Sequence, residues 1–211
     1  QKISTATGDA IDRKIIVSFN GGKDCMVILH LVCSMIPLSF IQKYFIFFVH
    51  EPCEEKIECC EAVLFRDWVM KTVLKVDFRV CKGKQLKDHL QDLVDEYSVN
   101  LALIGTRKTD PSGRWQAGCI APTTKEWPNV MLVSPIFRWS FGLIWEYTLN
   151  VDVPRCSLYD KRFTSLGEKR LTTPNACLAI SCSSSSSSDT KNDEERKTFE
   201  PAWRLLDFTQ E

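Results

Sequence analysis

Ser18-Phe19-Asn20-Gly21-Gly22-Lys23-Asp24-Cys25 follows the apolar run Ile15-Ile16-Val17 and leads into a long apolar segment that begins near Asp24 or Cys25. The order this implies is strand, glycine turn, helix. Two adjacent glycines let the backbone turn tightly and expose successive N–H groups, and a helix N-terminus adds partial positive charge, so the octet forms a nest for phosphate oxygens. Lys23 adds a full positive charge, and Asp24 can cap the helix or hold a magnesium ion through its carboxylate. The spacing is not Gly-x-x-x-x-Gly-Lys-Ser/Thr, so this is a different phosphate loop. The plainer alternative is a glycine turn that serves only to join strand and helix.

Outward from the octet, Arg13 to Leu149 alternates short apolar runs with segments of helical period, which predicts an α/β fold: a mainly parallel sheet in a three-layer sandwich. Tyr44 to Val49 is apolar on both faces and belongs inside the sheet. A helix is expected over Glu54 to Val69, its stripe being Ile57, Glu61, Leu64 and Trp68, and a short apolar run follows near Val73 to Val80. Lys84 to Tyr97 places Leu86, Leu90, Leu93, Val94 and Tyr97 on one face, an amphipathic helix. Strands are expected at Leu101 to Ile104 and Val130 to Val133, and Phe141, Ile144, Trp145, Thr148 and Leu149 mark a last helix. Leu101 to Ile104 delivers the chain to Gly105-Thr106-Arg107-Lys108-Thr109-Asp110-Pro111. Arg107 thus sits where an open α/β sheet presents its ligand loops, and its fork of donors suits phosphate. Asp110-Pro111 has a plainer reading as the start of a turn.

Composition narrows the function classes. Lys+Arg and Asp+Glu both number 27 in 211 residues, so the totals advertise neither a nucleic-acid partner nor an anionic membrane. Met26 to Ile41 carries no charged side chain but includes His30 and Pro37 and falls short of the roughly 18–20 residues of a span; it reads as a buried helix running into a turn. The 10 cysteines are scattered in apolar elements with no Cys-x-x-Cys pair, which suits free thiols in a reducing cytoplasm. His30 and His50 lie within apolar elements and read as structural. Ser183 to Ser188, followed by 189–197, cannot bury apolar surface and predicts a flexible linker over 181–198. Pro201-Ala202-Trp203-Arg204-Leu205-Leu206 then reads as part of a segment, 199–211, that docks back on a domain formed by 1–180.

With these motifs in place, the octet resembles the pyrophosphate-loop motif of the eukaryotic FAD synthase (FMN adenylyltransferase) family, which belongs with the phosphoadenosine-phosphosulfate reductase-like proteins. Later segments are similar in the same order: Gly105 to Pro111, Trp127 to Met131, Ser134 to Trp139 with Ile144-Trp145, Val153 to Asp160 with Phe163 to Gly167, Pro174-Asn175, and Phe199 to Trp203. The resemblance covers nearly all of Lys14 to Asp207, most loosely from Glu51 to Asn100. It implies the adenine nucleotide alpha hydrolase-like fold and transfer of AMP from ATP to FMN, giving FAD and pyrophosphate with magnesium.

On this resemblance ATP is bound by Ser18, Phe19, Asn20, Gly21, Gly22, Lys23, Asp24, Cys25 and Gly105, with Asp24 as the metal contact. Asn20, Asp24 and Asp110 are expected catalytic residues on the resemblance, and Arg107, by its position past the strand end, is expected to join them by stabilising the transferring phosphate. Arg107, Asp110, Trp127 and Met131 are expected to meet FMN, whereas Trp145 reads as core. ATP and FMN are then the partners of a monomer with no nucleic acid and no membrane.

The chain also departs from the family. Leu132 stands where arginine is common, Arg138 where an acidic residue or histidine is usual, and Arg162 where glycine is usual, so that a side chain meets a positive-φ turn. A Glu-Arg-x-x-Arg segment is absent from Asp207 to Glu211. These departures motivate an alternative, a catalytically weakened or inactive nucleotide-binding relative. A sulfonucleotide reductase is a further alternative, although Cys177 and Cys182 lack the Glu-Cys-Gly-x-His setting that it needs.

Overall fold

The structure, a computed structural model, describes residues 14–51, 59–167, 172–179 and 200–205. The expected linker at 181–198 and Ile57 of the expected helical stripe lie outside the described residues. Six strands form one sheet: β1 (Ile15–Ser18), β2 (Phe45–Glu51), β3 (Phe78–Lys82), β4 (Leu101–Leu103), β5 (Ile120–Pro122) and β6 (Met131–Val133). Their order is β3-β2-β1-β4-β6-β5. Every neighbouring pair is parallel except β5 with β6.

The helices are α1 (Lys23–Met35), α2 (Leu38–Tyr44), α3 (Cys60–Trp68), α4 (Leu86–Tyr97) and α5 (Phe141–Asn150). α1 continues the apolar run with Met26, Val27, Ile28 and Leu29 buried, and it stops at Ile36, which is extended at φ −122°. The following Pro37 disfavours a helical residue before it. α2 starts directly afterwards, bent 119° from α1. The buried helix thus runs into a break and a second short helix. No single described helix is long and apolar enough to cross a membrane.

The winding places helices on both faces. From β1 the chain moves to β2 and β3 in one direction, with α1 and α2 in the first connection; it then returns past them through α4 to β4. Right-handed crossovers in opposite directions put their helices on opposite faces. Accordingly Val17, Phe19, Phe47 and Leu103 pack with α1, α2 and Ile144 of α5 in one core. Ile16, Phe48 and Ala102 pack against Leu90 and Leu93 of α4 in another. Each buried Phe, Leu or Ile contributes roughly 1.5–3 kcal/mol, so both layers are needed to hold β1 in the centre.

Two elements differ from expectation. In α3 the buried residues are Ala62 and Arg66, while Leu64 is 65% exposed and Trp68 faces solvent, so the expected stripe Glu61, Leu64, Trp68 is not the inner face. Arg66 is buried because it lies over the Phe78 ring at 5.1 Å and approaches Glu51 and Asp67. Beyond Trp68 the chain continues as a π-helical stretch, Val69–Leu74, that ends on Lys75 at φ +55°. This takes Val73 and Leu74 out of the expected strand run, and β3 begins only at Phe78. β5 is the other departure, a three-residue antiparallel edge strand ending in Pro122, which suits an edge because it donates no ladder hydrogen bond.

Candidate functional site

The strand order reverses between β1 and β4, and in an open α/β sheet ligands bind outside the carboxyl ends of the strands at such a switch point. The octet leaves β1 there, and Gly105 to Pro111 leaves β4 beside it. Gly21 takes φ +79°, which an L side chain rarely adopts, and this turns the chain into α1. Asn20 Oδ1 accepts the Gly22 amide at 2.9 Å, closing a local turn. The first amide of α1, that of Lys23, donates at 2.8 Å to the hydroxyl of Tyr159, which comes from a short helical turn at Ser157–Lys161.

These residues border a cleft of about 710 Å³, a size suited to small-molecule ligands. Its polar wall includes Ser18, Asn20, Gly22, Lys23, Asp24, Gly105 and Asp110. Its apolar wall includes Phe48, Leu90, Ile104, Trp115, Trp127 and Leu132. Cys25 also borders the cleft, but burial pushes its thiol up to about 11, so it remains a neutral contact rather than a nucleophile.

Charge is arranged as an alternating network. Lys23 Nζ lies 3.2 Å from Asp24 Oδ2 and 5.2 Å from the Phe141 ring centroid. Arg107 is only 3% exposed; its Nε lies 3.1 Å from Asp24 Oδ1 and its Nη2 3.0 Å from Asp110 Oδ1. The Arg107 amide also donates to Asp110 Oδ2 at 2.6 Å. Thus one buried guanidinium joins the two carboxylates that face the cleft, one from α1 and one from the loop after β4. Gly113 closes that loop with its amide on Asp110 O, at a point where an added Cβ would lie 2.0 Å from Arg107 O.

Four of the expected contacts are placed elsewhere. Arg107 lies behind the carboxylates rather than on the cleft wall, because two carboxylates and burial hold its planar fork. Met131 is not on the wall either: it is 40% exposed, and its neighbour Leu132 borders the cleft instead, since side chains alternate across a strand. The Phe19 side chain is part of the core and its amide donates to Phe48 O at 2.9 Å. Gly21 packs against α3, near Arg66 and Ala62, and shapes the loop from behind. Trp127 does border the cleft, while Trp145 is core, edge-on to Phe141 and Tyr159.

Other departures noted in the sequence also have a place. Arg162 takes φ +62°, so the positive-φ turn forms with arginine in it, and Asn175 N donates to its carbonyl at 2.8 Å. Arg138 is exposed. Ala202 and Leu205 are buried, and Trp203 lies 5.5 Å from the Trp145 ring. His30 Nδ1 and the Tyr147 hydroxyl are 2.8 Å apart, outside the cleft. Among the described residues no cluster of three or more His, Cys, Asp or Glu could by itself hold a metal ion.

Tyr159 and Trp115 border the cleft, and Gly113 shapes the loop behind it, none of which local pattern discloses. Tyr159 stood within a quoted motif, but its contact with Lys23 joins positions 136 residues apart.

A model of the phosphoadenosine phosphosulfate reductase domain matches residues 50–174. A probable FAD synthase of Schizosaccharomyces pombe is 33% identical over 186 residues, covering 78% of this chain and 63% of that protein. A probable FAD synthase of Caenorhabditis briggsae is 32% identical over 169 residues, covering 79% of this chain and 31% of that protein. The chain therefore spans less than two thirds of the length of these curated relatives. The crystal structure of Candida glabrata FMN adenylyltransferase in complex with FMN and the ATP analog AMPCPP superposes with a TM-score of 0.76 at 22% identity, over 96% of this chain and 81% of that one.

Proposed function

We propose, on the premise that the chain belongs to the phosphoadenosine phosphosulfate reductase domain family, that it transfers AMP from ATP to the phosphate of FMN, releasing pyrophosphate and forming FAD. The observation that carries this reading is the convergence, at one switch-point cleft, of a phosphate nest with an apolar and aromatic wall broad enough for flat rings. Two curated relatives are named probable FAD synthases, which supports FAD as the product.

In the reaction an oxygen of the FMN phosphate forms a bond to the α-phosphorus of ATP while the bond from that phosphorus to the bridging oxygen breaks, the electron pair leaving with pyrophosphate. An FMN phosphate is already anionic, so the protein need not generate a nucleophile. Its task is to position the two substrates and to offset like charge. Asn20, Gly22 and Lys23 hold the polyphosphate at the start of α1. Trp127, Trp115 and Leu132 offer surface to a ring system.

Among the described residues of the site, the cations Lys23 and Arg107 are matched by the carboxylates Asp24 and Asp110. These four side chains bring no net positive charge to a polyphosphate. Two carboxylates facing a cleft for anions suit a magnesium ion carried in with ATP, which supplies the missing positive charge; such ions usually keep one or two protein carboxylates plus substrate phosphates. Arg107 acts by holding Asp24 and Asp110 in register. A monomer in the cytoplasm, with no nucleic-acid or membrane partner, completes the proposal. The balance of 27 basic and 27 acidic residues supports the lack of a polyanionic partner.

The test is an incubation of the purified protein with ATP, FMN and magnesium, resolved by chromatography. FAD and pyrophosphate formed in equal amounts are expected. ATP binding with no FAD would favour the non-catalytic nucleotide-binding relative, for which Leu132 on the cleft wall is the specific motive.

A further inference from the structure

The Tyr159 side chain is 1% exposed, yet it borders the cleft. Its ring is fixed edge-on against Trp145, with centroids 5.1 Å apart, within a cluster that also holds Phe141, Cys156 and Leu158. Its hydroxyl accepts the Lys23 amide at 2.8 Å. A phenol oxygen that accepts one hydrogen bond still carries its own proton, and among the described residues that proton has no acceptor. The hydroxyl therefore keeps a donor that a ligand can complete. The position of the hydroxyl says which ligand: an added Cβ on Gly22, itself on the cleft wall, would lie 3.7 Å from the hydroxyl oxygen. The proton is therefore available at the N-terminus of α1, among the amides and the Lys23 ammonium that favour an anion.

We infer that Tyr159 is a phosphate-binding residue: its O–H donates to an oxygen of the bound polyphosphate while its oxygen holds the Lys23 amide in place. Through this arrangement the first amide of α1 reaches the anion by way of a hydroxyl, and accepting from that amide strengthens the hydroxyl as a donor. Burial keeps the phenol well above its ordinary pKa, so the proton stays on it across the physiological range. The residue also ties the segment after α5 to the octet, so that this segment closes one side of the phosphate site.

This rests on the phosphate-binding part of the proposed function and not on adenylyl transfer itself. Tyr159→Phe keeps the ring and removes only the hydroxyl. Equilibrium binding of ATP and of inorganic pyrophosphate, the probes used, is expected to weaken about tenfold in the variant, with the affinity for FMN changed by less than twofold. Unchanged affinity for both phosphates overturns the inference, as does an equal loss for FMN, which marks a general collapse of the cleft. In the otherwise native protein, 3-fluorotyrosine at position 159 is expected to show a fluorine resonance shift on addition of pyrophosphate, and no shift at saturation overturns it as well. Neither readout needs FAD formation. A wild-type protein that makes no FAD but loses pyrophosphate affinity as Tyr159→Phe refutes the transferase reading and leaves Tyr159 in its role.

Discussion

Gly113→Ala adds one methyl group at a position that faces no ligand, and its effect follows from the loop geometry. The new Cβ would stand 2.0 Å from Arg107 O, 2.9 Å from Arg107 C and 3.0 Å from Lys108 Cα, all backbone atoms. Real Cβ atoms essentially never come within 3.0 Å of such neighbours, so the Arg107 carbonyl must retreat by about 1 Å, a displacement that can cost 10²-fold in rate when it moves catalytic groups. That carbonyl accepts the Asp110 amide at 3.1 Å, and its residue carries the 3.0 and 3.1 Å contacts to Asp110 and Asp24. Strain of this kind typically costs about 1–3 kcal/mol, which lowers the thermal midpoint of a chain this size by roughly 2–12 °C. Gly118→Ala is the matched control, because a Cβ there meets nothing within 4 Å. FAD formation and thermal melts should separate the two variants, with turnover down about 10²-fold in Gly113→Ala and unchanged in Gly118→Ala. If both turn over and melt like wild type, the coupling of this loop to the two carboxylates is wrong.

Arg107→Lys keeps the charge but loses the fork that reaches both carboxylates, and turnover is expected to fall by more than about tenfold; an unchanged rate removes Arg107 from the mechanism. Lys75 ends the π-helical stretch at φ +55° and ψ 49°, a conformation that costs an L side chain roughly 1 kcal/mol. Lys75→Gly should therefore raise the thermal midpoint, and a fall would refute the strain argument. His89 on α4 is held below its ordinary pKa of 6.5, first by burial and then by the neighbouring His50, whose ring lies 5.4 Å away. The unfolded chain then takes up a proton on this histidine before the folded one does. The stability due to neutral His89 is complete above pH 6.5 and is lost as pH falls through the folded value. Urea midpoints measured downward from pH 7 should decline more steeply in wild type than in His89→Phe, and parallel curves would contradict it.

The central strands and the octet were legible because each has a local cause: apolar runs buried on both faces, and a glycine pair between strand and helix. The edge strand β5 has none, being three residues whose pairing with β6 is set by tertiary structure. α3 was read on the wrong face since a period count ranks Arg66 as polar, whereas Glu51, Asp67 and the Phe78 ring make its burial tolerable. A shift of one position separates Met131 from Leu132, and alternation along a strand turns that shift into the opposite face of the sheet. Within the candidate site, Asp24 was read from its motif and Asp110 from the resemblance, and both border the cleft. That Arg107 stands behind them, and that Tyr159 reaches the start of α1, depends on contacts that no window of sequence contains.

The most direct measurement follows the label from ATP during incubation with FMN and magnesium, in wild type and in Asp110→Ala. ATP labelled at the α-phosphorus should transfer its label to FAD, ATP labelled at the γ-phosphorus should yield labelled pyrophosphate, and both products should disappear in the variant. An α-label that never enters FAD, in folded protein that binds both ATP and FMN, would contradict adenylyl transfer at this cleft.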